Sequence, residues 1–217
     1  IVPHYDLMNR LMTAGLDRCW RAAAAAAAAP PPAAPLLDVC CGTGDLSLAL
    51  ARSYPASAVT GLDFSAAMLE MARTKATRAG LGAEFVRGDL LRLPFDDGAF
   101  GAVTVGWGVR NVAELDRAFG EMARVTRPGG RVVCLEATLP ASAWGRRFHA
   151  VWFDRVVPAM GALAGAAEAY AYLPASVRSF PDADGLAAVM QAAGLLHVRY
   201  QRLGLGAMAL HVGERAA

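Results

Sequence analysis

Residues 39–45 read V-C-C-G-T-G-D, and this stretch decides the fold. It follows the apolar run L36-L-D-V-C40, which predicts a buried strand, and leads into D45-L-S-L-A-L-A-R52, which predicts a helix. A glycine turn between a strand and a helix is typical of the first unit of a doubly wound α/β sheet, where ligands bind. The cysteines, glycines and aspartate indicate three kinds of site: a metal site, a nucleotide phosphate site, or a site for another ligand.

The rest of the chain continues the alternation of strands and helices. Strands are predicted at 58–63, 84–87, 100–105 and 131–136, with helices at 65–79 and 114–125. A further helix is predicted at 182–193, followed by strands at 196–202 and 207–212 that form a hairpin across G204-L-G206. Strands joined through helices pair in parallel. We therefore predict an α/β fold with a doubly wound, seven-stranded sheet, mostly parallel, with an antiparallel strand in the C-terminal hairpin.

Three segments are predicted along the chain. Residues 1–29 form an N-terminal helical arm, 30–35 a proline-rich linker, and 36–217 the main domain, with a helical insert at 140–180 after strand five. Alanine favours helix and proline stops it, so we interpret Ala22–Pro35 as a connector that carries little information.

Composition excludes several functions. The net charge is only +2 and the arginines are scattered, so no nucleic acid partner is expected. The four cysteines show no C-x-x-C spacing, which indicates neither a metal site nor a redox dithiol and favours a reducing compartment. No uncharged apolar run reaches the ~20 residues of a membrane span.

The charge of the glycine turn indicates its ligand. Gly42 and Gly44 supply G-x-G, but Ser47 stands at the third glycine position of a dinucleotide fingerprint. Asp38 and Asp45 bracket the turn, where a pyrophosphate would meet two carboxylates. A nicotinamide dinucleotide is therefore disfavoured, and a cationic ligand is favoured. S-adenosylmethionine carries an ammonium and a sulfonium and no phosphate, and we predict it as the cofactor.

Two further strand ends support this prediction. Asp63 ends strand two, where its carboxylate can accept hydrogen bonds from both ribose hydroxyls. Asp89 follows strand three and can accept from the adenine amino group, while Leu90 packs on the ring. Each acidic turn alone predicts no more than a helix N-cap, but the three together predict a cofactor site.

Further motifs carry a resemblance to a known family. In the first half of the chain they are Y-D-L-M-N-R at 5–10, G-L-D-R-C-W at 15–20 and G-D-L-L-R-L-P-F at 88–95. In the second half they are G-V-R-N at 108–111, R-V-T-R-P-G-G at 124–130, L-E at 135–136, E-A-Y-A-Y-L-P at 168–174 and S-V-R-S-F-P at 176–181. With them the chain resembles the class I S-adenosylmethionine-dependent methyltransferases and, more closely, the ubiquinone/menaquinone biosynthesis C-methyltransferase family.

The resemblance covers nearly the whole chain outside the alanine and proline run. It implies a Rossmann-like fold and methylation of a ring carbon on a prenylated benzoquinol or naphthoquinol. It also implies which residues contact the cofactor. Thr43, Asp63, Asp89 and Leu90 match contact positions of the family, and Gly106 stands where many relatives have serine. The complete predicted cofactor set is Asp38, Gly42, Thr43, Gly44, Asp63, Phe64, Asp89, Leu90 and Gly106.

Methyl transfer to a ring carbon requires the adjacent hydroxyl to become a phenolate. Arg110 and Asn111, at the end of strand four, are predicted to stabilise that phenolate by charge and by amide donation. The alternative is that Arg110 is a structural partner of a carboxylate such as Glu136. Tyr5 and Asp6 of the arm are predicted to close over the ring and to orient water or act as the base.

Partners and location follow from the resemblance. The insert is expected to form a packed helical layer, a prenyl-binding wall or both, and Arg146, Arg147 and Arg155 to reach lipid head groups in a peripheral membrane contact. A homodimer and a quinone-synthesis complex are both open, as are the cytoplasm, plastid stroma and mitochondrial matrix. Two rival functions are a methyltransferase acting on another small molecule and a non-catalytic scaffold of the same fold.

Overall fold

The computed structural model describes residues 10–157 and 176–216. Within them, seven strands form one sheet in the order β3-β2-β1-β4-β5-β7-β6. The strands are β1 (Leu36–Val39), β2 (Val59–Asp63), β3 (Glu84–Arg87), β4 (Phe100–Gly106), β5 (Thr126–Ala137), β6 (Leu195–Leu203) and β7 (Met208–Arg215). Strand β7 runs antiparallel to both β5 and β6, while β1 to β5 pair in parallel. The predicted Rossmann-like sheet is confirmed.

The helices connect the strands close to the predicted bounds. They are α1 (Asp17–Ala28), α2 (Asp45–Ser53), α3 (Ala66–Ala79), α4 (Leu115–Val125), α5 (Ala143–Val151) and α6 (Ala183–Ala192). Local chemistry sets the ends of α3: the Ser65 hydroxyl accepts from the Met68 N–H before the first turn, and Gly80 follows the last turn with φ +61°. Within the described ranges, no helix is both long enough and apolar enough to cross a membrane.

Helices cover both faces of the sheet. One buried apolar cluster joins Leu37 and Val39 of β1 to α4 and α6, and another joins Leu36 to α1 and α2. Because successive side chains of a strand point to opposite faces, these two layers lie on opposite sides. The burial of all four β1 residues explains why the strand reads as a continuous apolar run.

The alanine run is a packing element, and its interpretation as a connector is wrong. Helix α1 contains most of the run, and Ala24, Ala25 and Ala28 are completely buried in the cluster beneath it. The Tyr54 hydroxyl donates to the carbonyl oxygen of Ala25 at 3.0 Å. Methyl side chains let the helix backbone lie close to the sheet, which larger residues would prevent.

We expect Ala25→Leu to lower the free energy of unfolding by about 1–3 kcal/mol, because three added carbons cannot fit without displacing neighbours. Ala26→Leu is the matched control, since Ala26 is exposed on the same helix, and its effect should stay within about 0.5 kcal/mol. Urea unfolding followed by circular dichroism measures both. Equal effects of the two changes would contradict the packing role.

One predicted segment differs from the structure, and part of another lies outside the described residues. Residues 127–130, which precede the predicted fifth strand at 131–136, form the irregular first part of β5, with a register shift opposite Phe100 and Ala102 and φ +71° at Gly129. Of the predicted insert, α5 and the π-helix Trp152–Val156 are described. Positions 158–175 lie outside the described residues, as do Tyr5 and Asp6.

Candidate active site

The carboxyl ends of β1, β2 and β4, together with the loop after β3, open into one cavity of about 1570 Å³. Eight of the nine predicted cofactor residues line it: Asp38, Gly42, Thr43, Asp63, Phe64, Asp89, Leu90 and Gly106. Arg110 and Asn111 line it as well. The cavity exceeds the usual range for one small ligand, roughly 300–1,000 Å³, so it has room for a cofactor and a second reactant.

The two glycines of the turn have different roles. A Cβ on Gly42, whose φ is +54°, would meet nothing within 4 Å, so its backbone faces open space in the cavity. A Cβ on Gly44, whose φ is +82°, would lie 2.9 Å from Ala72 Cβ and 3.0 Å from the Phe85 ring. Gly44 therefore lets α2 approach α3 and β3, and it is not among the residues that line the cavity, whereas Gly42 is. The predicted contacts of both glycines with a cofactor stay predictions.

Asp63 joins the glycine turn to the end of β2. Its Oδ2 accepts from the Gly42 N–H at 2.8 Å, and its Oδ1 accepts from the Ser65 N–H at 2.9 Å. The residue is only 6% exposed. A carboxylate oxygen can accept more than one hydrogen bond, so each oxygen keeps the capacity to accept a ribose hydroxyl while its position is held by the backbone.

An apolar platform lies beside Asp63. Phe64 is 74% exposed, although large apolar side chains are usually buried, and Leu90 is 4% exposed. Both line the cavity with Asp89, whose Oδ1 accepts from the Leu91 N–H at 2.9 Å. A planar ring such as adenine fits between such apolar side chains, with the carboxylate of Asp89 at its edge.

Asp38 and Asp45 do not form the pair of free carboxylates that the sequence indicates. Asp45 forms ion pairs with Lys75 and with Arg21, the latter at 3.6 Å. Asp38 is completely buried and accepts from the hydroxyls of Ser47 at 2.6 Å and Thr104 at 3.0 Å. Burial raises the pKa of Asp38 from 3.8 to about 7, against the lowering effect of these hydrogen bonds. The negative charge offered to a cationic ligand is thus smaller than predicted.

The raised pKa of Asp38 predicts a pH dependence of stability. Because the folded pKa is higher than the unfolded one, folding favours protonated Asp38; this stabilisation is complete below pH ~4 and is lost as pH rises towards ~7. Asp38→Asn lacks the titrating group. As the pH rises from ~4 to ~7, the free energy of unfolding of the parent should therefore fall relative to that of this variant. Urea titrations between pH 4 and 8 measure it, with exposed Asp96→Asn as control. A constant difference would contradict the raised pKa.

Arg110 lies between the cavity and a buried carboxylate. Its Nη1 donates to Glu136 Oε1 at 2.6 Å and to the carbonyl oxygen of Trp107 at 3.1 Å. Glu136 is 1% exposed, and its Oε1 also accepts from the Ala137 N–H at 2.8 Å. The structural alternative for Arg110, a pair with Glu136, is therefore present, and its role towards a phenolate stays a prediction. The carboxylate holds the guanidinium in one orientation at the cavity wall.

Sequence reasoning did not identify a cluster at the cavity that is formed by Trp107, Arg21 and Trp20. Trp107 has φ +55°, lines the cavity, and donates its Nε1–H to Met208 Sδ at 3.2 Å. The guanidinium of Arg21 lies 4.8 Å from the centre of its ring, and the ring of Trp20 lies 6.4 Å from it. The signal in the sequence was a large aromatic residue between two glycines, Gly106 and Gly108. The signal for Arg21 was its spacing of four residues from Asp17 on a helix.

The adjacent cysteines are packing residues. Burial raises the pKa of Cys40 to about 12 and also raises that of Cys41, so both are thiols at neutral pH. In the described part of the chain, no group of three or more histidine, cysteine or acidic side chains could hold a metal ion.

Comparison with known proteins relates this geometry to a family. A sequence model described as the ubiE/COQ5 methyltransferase family matches residues 1–215. The demethylmenaquinone methyltransferase of Thermus thermophilus is 46% identical over 216 residues, 99% of this chain and 98% of that protein. The ubiquinone/menaquinone biosynthesis C-methyltransferase UbiE of Desulfotalea psychrophila is 42% identical, covering 99% of this chain and 87% of that one.

Solved structures show the same fold at low sequence identity. The [4+2]-cyclase SpnF has a TM-score of 0.70 at 21% identity, covering 92% of this chain and 81% of that one. A geranyl diphosphate methyltransferase in complex with SAM has a TM-score of 0.65 at 18% identity, covering 94% of this chain and 89% of that one.

Proposed function

Because the chain belongs to the ubiE/COQ5 methyltransferase family and is an S-adenosylmethionine-dependent methyltransferase of quinone biosynthesis, we propose that its substrate is demethylmenaquinol, a prenylated naphthoquinol. The names of similar proteins favour the naphthoquinol, since relatives from Thermus and Roseiflexus, 46% and 48% identical, are both demethylmenaquinone methyltransferases. The observation that carries the proposal is the cavity of about 1570 Å³, in which polar groups that suit the cofactor adjoin an apolar wall.

The cofactor groups of the cavity fit S-adenosylmethionine. The open backbone at Gly42 lets a ligand approach closely, and Asp63 offers two oxygens in fixed positions. Phe64 and Leu90 offer an apolar surface for the adenine ring. When bound, S-adenosylmethionine supplies a methyl group on a sulfonium. Transfer of that methyl group would form a C–C bond at the ring carbon, break the C–S bond and release the ring proton at that carbon to a base.

The chain's own residues position the ring and its charge. The apolar wall of the cavity is formed by Met12, Leu16, Trp20, Trp152, Leu205 and Met208. Such a wall excludes water and strengthens electrostatic contacts with a phenolate. Arg110 and Asn111 line the same cavity, and Arg110 can stabilise the phenolate oxygen while Glu136 keeps it in place.

A direct assay tests this function. The purified protein is incubated with methyl-labelled S-adenosylmethionine and either demethylmenaquinol or 2-polyprenyl-6-methoxy-benzoquinol, and the products are identified by mass spectrometry. We expect label on the naphthoquinol ring. Turnover of the benzoquinol alone, or of a phenol oxygen, would overturn the proposed substrate. Binding of S-adenosylmethionine without turnover of any quinol would favour the scaffold.

We also propose a peripheral membrane contact at the mouth of the cavity. Leu205 is 67% exposed with φ +57° at the tip of the β6–β7 hairpin, and Trp144 is 66% exposed at the start of α5. A Cβ on Gly145 would lie 3.4 Å from the Leu205 carbonyl oxygen, so hairpin and helix are neighbours. Exposed Arg146 and Arg147 follow. Apolar side chains flanked by arginines favour a bilayer surface, from which a prenyl tail can enter.

Vesicle flotation tests the membrane contact. Leu205→Ser and Trp144→Ser should each weaken binding to vesicles of anionic phospholipid by at least about tenfold, and together by at least about 100-fold, because roughly 1.5–3 kcal/mol of burial is lost per large side chain. Leu196→Ser is the matched control: Leu196 is 48% exposed near the opposite end of β6. Equal effects at Leu196 would contradict the contact. The homodimer, the quinone-synthesis complex and the compartment stay predictions.

A further inference from the structure

Two basic side chains converge on one end of the cavity, where no role has been assigned to them. Arg21 of α1 pairs with Asp17 and approaches Asp45 at 3.6 Å, while Lys75 of α3 pairs with Asp45 and donates to the Thr43 hydroxyl at 3.0 Å. Arg21, Thr43 and Asp45 line the cavity. Asp45 begins α2, so both basic side chains reach the first turn of that helix.

The end of the cavity at Arg21 differs chemically from the end beside β2. The features that suit adenosine, Asp63 with Phe64 and Leu90, belong to the ends of β2 and β3. Arg21 belongs instead to the side of β4, where it lies over the Trp107 ring. S-adenosylmethionine has the same polarity, with adenosine at one end and an α-carboxylate at the other. A cofactor placed with its adenine ring at Phe64 therefore directs its carboxylate towards Arg21.

Arg21 is built as an anchor. Asp17 is 2% exposed, accepts from the Thr13 hydroxyl at 3.1 Å, and binds the Arg21 Nη1. The Trp107 ring, 4.8 Å away, supports the guanidinium face. The Nη2–Asp45 separation of 3.6 Å is too long for a hydrogen bond, so this nitrogen keeps donor capacity beside the cavity. The side chain is 11% exposed, which limits competition from water.

From this arrangement we propose that Arg21 binds the α-carboxylate of S-adenosylmethionine. Lys75 supports it by neutralising Asp45, which would otherwise repel that carboxylate. Asp17 and Trp107 hold the guanidinium in place, so its orientation is set before the ligand arrives. This inference rests on the proposed function, because it concerns the cofactor of that same reaction.

A comparison of two ligands tests the role of Arg21. Decarboxylated S-adenosylmethionine lacks only the carboxylate, so calorimetric affinities for it and for S-adenosylmethionine isolate that contact. The parent should prefer S-adenosylmethionine by at least ~10-fold, since a charge-assisted hydrogen bond contributes about 1.5–3 kcal/mol. Arg21→Gln should remove most of this preference and leave the affinity for the decarboxylated ligand within about threefold. Arg21→Lys should keep part of the preference.

Controls separate the anchor from a structural role. Arg18→Gln, on the same helix but exposed, should leave both affinities unchanged. Because Arg21→Gln leaves buried Asp17 without its cation, Asp17→Asn/Arg21→Gln is measured as well, and it should show the same loss of preference. If Arg21→Gln weakens the binding of both ligands equally, or keeps the preference for S-adenosylmethionine, the inference alone is overturned. A parent that binds neither ligand overturns the proposed function as well.

Discussion

Asp63→Asn is expected to lower the affinity for S-adenosylmethionine by at least ~100-fold. Both oxygens of Asp63 are fixed by backbone N–H groups of Gly42 and Ser65, at 2.8 and 2.9 Å. A ribose that donates two hydroxyls to this carboxylate gains two charge-assisted hydrogen bonds of about 1.5–3 kcal/mol each. Asparagine removes the charge and turns an NH₂ group towards one of the two backbone donors, so both the ligand contact and the glycine turn are weakened. Isothermal titration calorimetry measures the affinity.

Asp89→Asn provides the comparison for this prediction. Asp89 is exposed and accepts one backbone hydrogen bond, from Leu91, so its loss should cost only about tenfold in affinity. A ligand with 2′-deoxyribose distinguishes a lost hydroxyl contact from a distorted turn. The parent should discriminate against it, whereas Asp63→Asn should not. An affinity of Asp63→Asn within threefold of the parent would show that Asp63 only supports the turn.

The order of strands and helices could be predicted because each element carries its own local signal. The run at 36–40 is apolar on both faces, since both faces of β1 are buried, and Ser65 and Gly80 mark the ends of α3. Asp63 and Asp89 were found because the strand ends of a doubly wound sheet meet at one edge. For these residues, their position at the end of a strand was enough to predict that they lie at the same edge of the sheet.

Other features depend on contacts between distant segments, which periodicity does not contain. The alanines of α1 became core because the helix packs against β4 and β5, which lie far from it along the chain. Asp45 was predicted as a free carboxylate, but Lys75, thirty positions later, neutralises it. Arg21 acquires its position from Trp107. The sequence shows each of these residues, but it does not show which residues far apart along the chain form pairs.

Arg110→Met is expected to lower turnover by at least ~100-fold and also to lower the free energy of unfolding by about 3–5 kcal/mol. The stability loss arises because Glu136, 1% exposed, then keeps a buried charge without its cation. Turnover alone therefore cannot assign a catalytic role to Arg110, since a destabilised site would also lose activity. The two effects must be separated by a second substitution.

Arg110→Met/Glu136→Gln separates them. With the carboxylate neutralised, no buried charge is left uncompensated, and the double variant should regain most of the lost stability, because replacing both members of a buried pair is often nearly neutral. If Arg110 stabilises the phenolate, turnover of the quinol stays at least ~100-fold low in this stable protein. Urea unfolding and the methyl-transfer assay give the two readouts. Near-normal turnover in the double variant would mean that Arg110 serves only as the partner of Glu136.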